Sequence, residues 1–215
     1  MILKPKNQEE WLSMREKVGI GGSEAGTVLG LNKYMSNVDL WRIKTGRAKA
    51  EDISDKPAVK YGKQAEEHLR ELFKLDFPEY IVDYHEFYMY VNDVHKWLFA
   101  TLDGEITDEN GKHGILEIKT TTIRNSTQWE EWDNKIPNVY YAQVLHQLAA
   151  TGWDFAILKA HIRYDKSGDL AAAERHYRID RTDVTAEIKY LIQQEQAFVN
   201  AVKNDTMPPL ILPEI

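Results

Sequence analysis

The segment Ile115-Leu116-Glu117-Ile118-Lys119 puts the tightest limit on how this chain can fold. Its aliphatic and β-branched residues predict a strand from His113 to Thr121, and a strand sends successive side chains to opposite faces. Ile115, Glu117 and Lys119 then share one face, and Leu116 and Ile118 the other. An acid and a base therefore sit side by side within an apolar strand, a costly arrangement unless they pair or bind an ion. Upstream, Ala100-Thr101-Leu102-Asp103-Gly104 sets a second carboxylate at the end of an apolar strand, Lys96 to Leu102. Between them, Asp108-Glu109-Asn110-Gly111 is a hairpin turn signal. A hairpin there brings Asp103 and Glu117 towards neighbouring positions. Two convergent carboxylates make a hard-oxygen site that suits Mg²⁺, and a lysine beside them can position or deprotonate a water. A structural Glu117–Lys119 salt bridge accounts for the same residues about as well.

The remaining pattern predicts an α/β (α+β) domain with a central mixed β-sheet flanked by helices. Helices are expected from Asn7, as cap, to Lys17; from Glu24 to Leu29; from Val38 to Thr45; from Pro57 to Leu75; over 125–135; from Val139 to Thr151; and from Thr182 to Val202. Gly19-Ile20-Gly21-Gly22-Ser23 reads as a flexible loop ending in Ser23 as a helix cap. Further strands are expected over Tyr80–Val91, Trp153–Arg163 and Ala172–Ile179. The expected organisation is one domain over 1–215, with a helical segment 1–56, a core 57–180, and a C-terminal helix and tail 181–215.

Composition removes several classes. The chain has 215 residues, 43% hydrophobic and 28% charged, which excludes a disordered chain or a collagen-like fibre. With no cysteine there is no disulfide, thiolate metal site, iron–sulfur cluster or cysteine nucleophile. The net charge of −7 argues against a generally basic coat for nucleic acid, although a local basic groove can coexist with an acidic whole. The N-terminal MILKPKNQEEW is not a signal peptide, and no run approaches the roughly 20 apolar residues of a membrane span. The expectation is a cytoplasmic protein with no membrane partner. Trp129, Trp132 and Trp153 are expected in the core, His146 packed or solvated, and Asp93 in a turn.

The order Asp103-Gly104 followed by Glu117-Ile118-Lys119 resembles the PD-(D/E)xK nuclease core, a restriction-endonuclease-like fold. Further blocks resemble one branch of it, the lambda-type phage exonuclease or YqaJ-like viral recombinase family. Trp11-x-x-x-Arg15 followed by Gly19-Ile20-Gly21-Gly22-Ser23-Glu24-Ala25 resembles its N-terminal signature. Tyr61-Gly62-Lys63-Gln64-Ala65-Glu66 resembles its helical G-x-x-x-E segment, and Tyr140-Tyr141-Ala142-Gln143-Val144-Leu145-His146-Gln147 its Y-x-x-Q helix. The blocks fall in the family's order over about residues 11–160. Leu102 stands where the family often has proline.

The resemblance implies that Asp103, Glu117, Glu66 and the Ile118 carbonyl bind Mg²⁺, with Mn²⁺ able to substitute, as two ions. It implies Lys119 as the residue that orients or activates water, completing a catalytic set with Asp103, Glu117 and Glu66. Arg15 and Ser23 resemble a pocket for a DNA 5′-phosphate, with Thr101 adding a hydroxyl; guanidinium forks match phosphate, and Ser23 would stand at a helix N-terminus. The alternative leaves Ser23 as a cap only and pairs Arg15 with Glu10 or Glu16. Gln143 is assigned to DNA or water, with plain helix packing as the alternative. The implied activity is 5′→3′ exonucleolytic digestion of one strand from double-stranded DNA ends, leaving 3′ overhangs for phage-type recombination by single-strand annealing. A phage or prophage origin in a bacterial host, a ring-shaped homotrimer and an annealing partner are implied with it. A PD-(D/E)xK endonuclease or DNA-repair nuclease, and an inactive DNA-end-binding protein, are the competing readings.

Overall fold

The structure is a computed structural model that describes residues 1–212, with residues 16–18 described in backbone only. The chain opens with β1 (Ile2–Leu3) and α1 (Gln8–Val18). Asn7 caps α1, its side-chain oxygen accepting from the Glu10 N–H at 2.9 Å. β2 (Ile20–Gly21) runs straight into α2 (Gly22–Val28), and α3 (Asn37–Lys44) follows behind a Ser36 cap. Pro57 opens the long helix α4 (Pro57–Asp76), where its missing N–H costs nothing. Then come β3 (Ile81–Asp83), β4 (Met89–Val91), β5 (Leu98–Ala100), β6 (Gly104–Thr107) and β7 (His113–Ile123). The chain continues through α5 (Ser126–Glu130), α6 (Asn138–Thr151), β8 (Phe155–Lys166), β9 (Asp169–Asp180) and α7 (Thr185–Lys203).

The strands form two mixed sheets. The larger has the order β3-β6-β7-β8-β9, with β7 and β8 parallel and the other neighbours antiparallel. The parallel pair follows from the helical crossover between them, α5 and α6. The smaller sheet has the order β1-β4-β5-β2, with β2 parallel to β5. Helices α2, α6 and α7 cover one face of the larger sheet. There Ala142, Val144, Leu145 and Leu148 of α6 and Leu191 and Phe198 of α7 join Ile115, Leu158, Ala160 and Ile162 in one apolar cluster. Helix α4 covers the other face, with Leu69 and Phe73 on Leu116, Ile118, Phe155 and Ile157. Burying such side chains stabilises the fold by about 1.5–3 kcal/mol each. This is the mixed α+β architecture expected from the sequence.

Three local expectations are corrected. The stretch Tyr80–Val91 is two strands in different sheets, because the chain turns between them with Phe87 in the left-handed region at φ 66°. The glycine-rich loop is tied down: Ile20 N–H donates to the Trp97 carbonyl at 2.8 Å, and Ile20–Gly21 pairs with Leu98–Phe99. Gly19 has φ 142°, and a Cβ there would lie 2.3 Å from the Trp97 carbonyl oxygen, so only glycine fits. Ser23 is not the cap of α2. Gly21 takes that place and Ser23 is the second helical residue, because β2 pairing continues to the helix start. The tryptophans are in the core as expected: Trp132 is buried against Tyr140 and Tyr177, and Trp129 and Trp153 pack on the same cluster. Asp93 is an exposed turn carboxylate that pairs with the chain's N-terminal ammonium at 2.9 Å.

Candidate active site

The turn at Asp108–Gly111 forms, with the Asp108 carboxylate accepting from Asn110 N–H at 2.9 Å and Lys112 N–H at 3.0 Å. It fixes the β6–β7 register, whose last pair is Gly104↔Leu116. Asp103 therefore stands at the next position, beside Glu117. There the strands part, and the Asp103 side chain takes over the ladder: its Oδ2 accepts from Ile118 N–H at 2.8 Å. Glu117 is only 2% exposed, yet both its oxygens are engaged. Oε1 accepts from Gln143 Nε2 at 2.6 Å and pairs with Lys119 Nζ at 2.5 Å, while Oε2 accepts from Gln147 Nε2 at 2.5 Å. Charge-assisted donors of this kind are what let a carboxylate stay in a dry interior.

The electrostatics are those of crowded acids around one ammonium. Burial, then the nearby Glu117 and Glu66, push the Asp103 carboxyl well above its ordinary range, against the opposing pull of Lys119. Burial alone depresses Lys119, but Glu117 and Asp103 outweigh it and hold the ammonium above its usual value. Glu66 comes from α4, which approaches β7 closely because Gly62 lies over Thr120, 3.1 Å from where a Cβ would stand. Its carboxyl is raised, chiefly by burial and also by Glu117, with Arg70 opposing. Arg70 donates to Glu66 Oε1 at 3.3 Å and also to the Asp103 carbonyl, and it stacks 3.7 Å over the Tyr84 ring.

The other expected site residues divide into two groups. Gln143, assigned beforehand to DNA or water, spends its amide on Glu117, and Thr101 borders the site through its carbonyl, 3.4 Å from Gln147 Nε2. The start of α2 leans on the same glutamines: a Cβ on Gly22 would meet Gln143 Cγ at 3.3 Å and Gln147 Cγ at 3.4 Å. Ser23 is exposed beside this contact. Arg15 lies 4.5 Å over the Trp11 ring; burial lowers its pKa, and the field of Glu24 works against that. Among the described residues Arg15 and Ser23 share no hydrogen bond. Glu10 accepts from Lys6 N–H instead of pairing with Arg15, and the Glu16 side chain lies outside the described residues.

Two donors at the site are given no role by the sequence, although Gln147 falls on one helical face with Gln143. Arg70 carries a usable signal, four residues after Glu66 on the same helical face. Gln147 carries the same spacing from Gln143, but its function as a donor to Glu117 depends on how α6 lies on the sheet. Tyr140 also borders the site, its ring 5.3 Å from Lys119 Nζ.

The donors present fit a hard cation in part. Asp103, Glu117 and the Ile118 carbonyl are oxygen ligands, and Gln147 Oε1 is buried beside them with no hydrogen-bond donor. Among the described residues, however, no three carboxylate or imidazole groups gather closely enough to hold an ion by themselves. Glu66 is held by Arg70, and Glu117 already accepts from three donors, which leaves one lone pair of its Oε2 for an ion. A cavity of about 420 Å³ between α2, α6 and α7, lined by residues such as Leu29, Tyr141 and Tyr190, lies apart from this chemistry.

Solved structures with this fold include an alkaline exonuclease (LHK-Exo) from Laribacter hongkongensis. It shares 20% identity with this chain at a TM-score of 0.68, covering 92% of this chain and 94% of that one. The same enzyme in complex with dAMP matches over the same shares at a TM-score of 0.66. In sequence, the uncharacterized protein YqaJ of Bacillus subtilis (strain 168) is 33% identical over 155 residues, 69% of this chain and 44% of that protein. The match thus spans less than half of that relative's length. A model of the YqaJ-like viral recombinase domain matches residues 10–154, most of this chain, and the chain belongs to that family.

Proposed function

We propose that this protein is a metal-dependent 5′→3′ exonuclease that degrades one strand of double-stranded DNA from its ends and leaves 3′ overhangs for recombination. The observation that carries the reading is the convergence of Asp103, Glu117 and Lys119 at the point where β6 leaves β7, beside the start of α2. Family membership and the alkaline exonuclease fold support it, as does the dAMP captured by the structurally similar enzyme, which is the kind of mononucleotide such digestion releases.

Asp103, Glu117 and the Ile118 carbonyl would hold Mg²⁺ or Mn²⁺. A bound divalent ion supplies Lewis-acid polarisation of the phosphodiester and stabilises the leaving oxygen. A second ion would need Glu66 released from Arg70. The chain's own groups do the positioning. Gln143 and Gln147 fix the orientation of Glu117 from α6. Lys119, as an ammonium, donates to one lone pair of the attacking water and so orients the other lone pair towards the phosphorus. Arg15 and Ser23 take the 5′-phosphate, with Thr101 nearby; a guanidinium over the Trp11 ring can keep its N–H edge for a phosphate.

The test compares linear and closed circular duplex DNA with Mg²⁺ present and after chelation. Loss of linear DNA only, faster with a 5′-phosphate and abolished by chelation, is expected. Cutting of closed circles would assign an endonuclease, and no digestion of either by folded protein would overturn the reading. Family membership is also the support for a ring-shaped homotrimer and an annealing partner; light scattering should give three times the 24.9 kDa chain mass.

A further inference from the structure

One ion pair involves Glu24, the neighbour in the chain of Ser23 in the proposed 5′-phosphate pocket. Lys44, on α3, reaches back to the glycine-rich segment and is largely buried there, 15% exposed. Its Nζ lies 2.8 Å from Glu24 Oε1 and donates to the Gly19 carbonyl at 2.7 Å. The other oxygen of Glu24 accepts from Gly21 N–H at 3.0 Å. One lysine and one glutamate thus fasten both ends of β2, next to Ser23 and against the glutamines that hold Glu117. Glu24 also acts on Arg15, raising its pKa against the effect of burial.

The charge arrangement creates a problem for an anion. A carboxylate follows Ser23 in the chain and acts on Arg15, the very residues assigned to a phosphate. Left unpaired it would repel a phosphate dianion and compete for the guanidinium. We infer that Lys44 is a positioning residue for the 5′-phosphate: it neutralises Glu24 and holds the Gly19–Ser23 segment, so that Arg15 is left to the DNA end. The inference rests on the exonuclease reading above and deepens its 5′-phosphate pocket.

A purely structural pair and an electrostatic one give different signs. If the pair only holds the fold, breaking it from either side brings the same loss. If Lys44 serves to neutralise Glu24, removing the lysine harms phosphate recognition while removing the acid's charge does not. Glu24→Gln keeps an oxygen to accept from Gly21 N–H, so the segment keeps its shape.

The experiment measures kcat and KM on linear duplexes that differ only in a 5′-phosphate or 5′-hydroxyl, with thermal melting as a check on folding. Lys44→Met is expected to lower the preference for the 5′-phosphate roughly tenfold, through KM, a larger effect than any on 5′-hydroxyl turnover. Lys44→Arg should keep the preference. Glu24→Gln should keep or strengthen it, and Glu24→Gln combined with Lys44→Met should recover most of what Lys44→Met loses. Equal losses from Glu24→Gln and Lys44→Met, or an undiminished preference in folded Lys44→Met, overturn the inference and leave the pocket standing. Should Lys44→Met not fold, the sign of Glu24→Gln decides alone: a weaker phosphate preference refutes the inference. If the parent protein ignores the 5′-phosphate altogether, the pocket assignment fails and this inference fails with it.

Discussion

At the scale of single residues, Lys119 and Asp103 separate cutting from holding. Neither fills an apolar core position, so replacing either by alanine removes chemistry and leaves the apolar core intact. Lys119→Ala and Asp103→Ala should each lower the cutting rate on linear duplex DNA by about 10²–10⁴-fold, while fluorescence anisotropy still reports DNA binding. Cutting at the parental rate by both variants would show the site to lie elsewhere. His146 makes a different case, one of stability. It is fully buried, with Nδ1 2.7 Å from Glu195 Oε1 and Nε2 2.8 Å from the Phe99 carbonyl. Against an ionised Glu195 and the Phe99 carbonyl both ring nitrogens donate, an arrangement that favours the imidazolium. Burial lowers its pKa, but Glu195, the Phe99 carbonyl and Glu24 together raise it above 6.5. A raised value in the fold means that the stabilisation is complete below the unfolded value and is lost as pH climbs through the folded one. The melting temperature should fall from neutral to alkaline pH, and Glu195→Gln should flatten that slope; an unchanged slope would refute the ion pair. His146→Leu, which strands Glu195 in the core, should cost about 3–5 kcal/mol in denaturant unfolding. Some of this was legible in the residues and some was not. Asp103 and Glu117 could be brought together on paper because a strong turn fixed the hairpin register. The donors Arg70 and Gln147 could not be assigned, because they reach the acids only through the tertiary approach of α4 and α6.

At the scale of elements, α6 does the most to join the two halves of the site. Its Gln143 and Gln147 hold Glu117, and the same two side chains receive the start of α2. The two helices come close because Gly26 faces Val139: a Cβ on Gly26 would lie 2.6 Å from Val139 Cγ2. Gly26→Val should therefore push α2 off α6 and destabilise the fold by about 1–3 kcal/mol. It should also slow cutting, because Gly22 and Ser23 move away from the glutamines. A stable Gly26→Val variant with parental activity would show that α2 does not need its present seat. The elements also show where sequence pattern runs out. Tyr80–Val91 reads as one strand because its composition suits a strand throughout. What splits it is the positive φ of Phe87, and no glycine or Asn-Gly pair announces that turn. Gly19 shows the opposite: a glycine expected to loosen a loop instead permits close contact with Trp97 and fastens it. The longer helices α4, α6 and α7, by contrast, lie close to their expected bounds, since a caps-and-stripe pattern is local, whereas the helix expected over 125–135 ends at Glu130.

At the scale of the whole molecule, part of the acidity behind the net charge of −7 is gathered at one site. Asp103, Glu117 and Glu66 act on one another through a mostly dry interior, and the raised values of Asp103 and Glu66 reflect burial first and that mutual repulsion second. One ammonium, Lys119, and one guanidinium, Arg70, offset it in part. A site of this kind trades stability for a task, since the native fold would gain from fewer acids there. Asp103→Asn removes one charge and keeps an oxygen to accept from Ile118 N–H, so without divalent ions it should melt at a higher temperature than the parent. Adding Mg²⁺ should reverse the order. A ligand at 100 times its dissociation constant stabilises the fold that binds it by about 2.7 kcal/mol, and only the parent keeps the oxygen pair that would bind it. Melting curves of the two proteins over a Mg²⁺ titration, with chelator as the zero point, therefore test the metal assignment without any DNA. Parallel rises in both proteins would place the ion away from Asp103. A parent that melts above Asp103→Asn in chelator would show that the acids there are not crowded enough to need a cation.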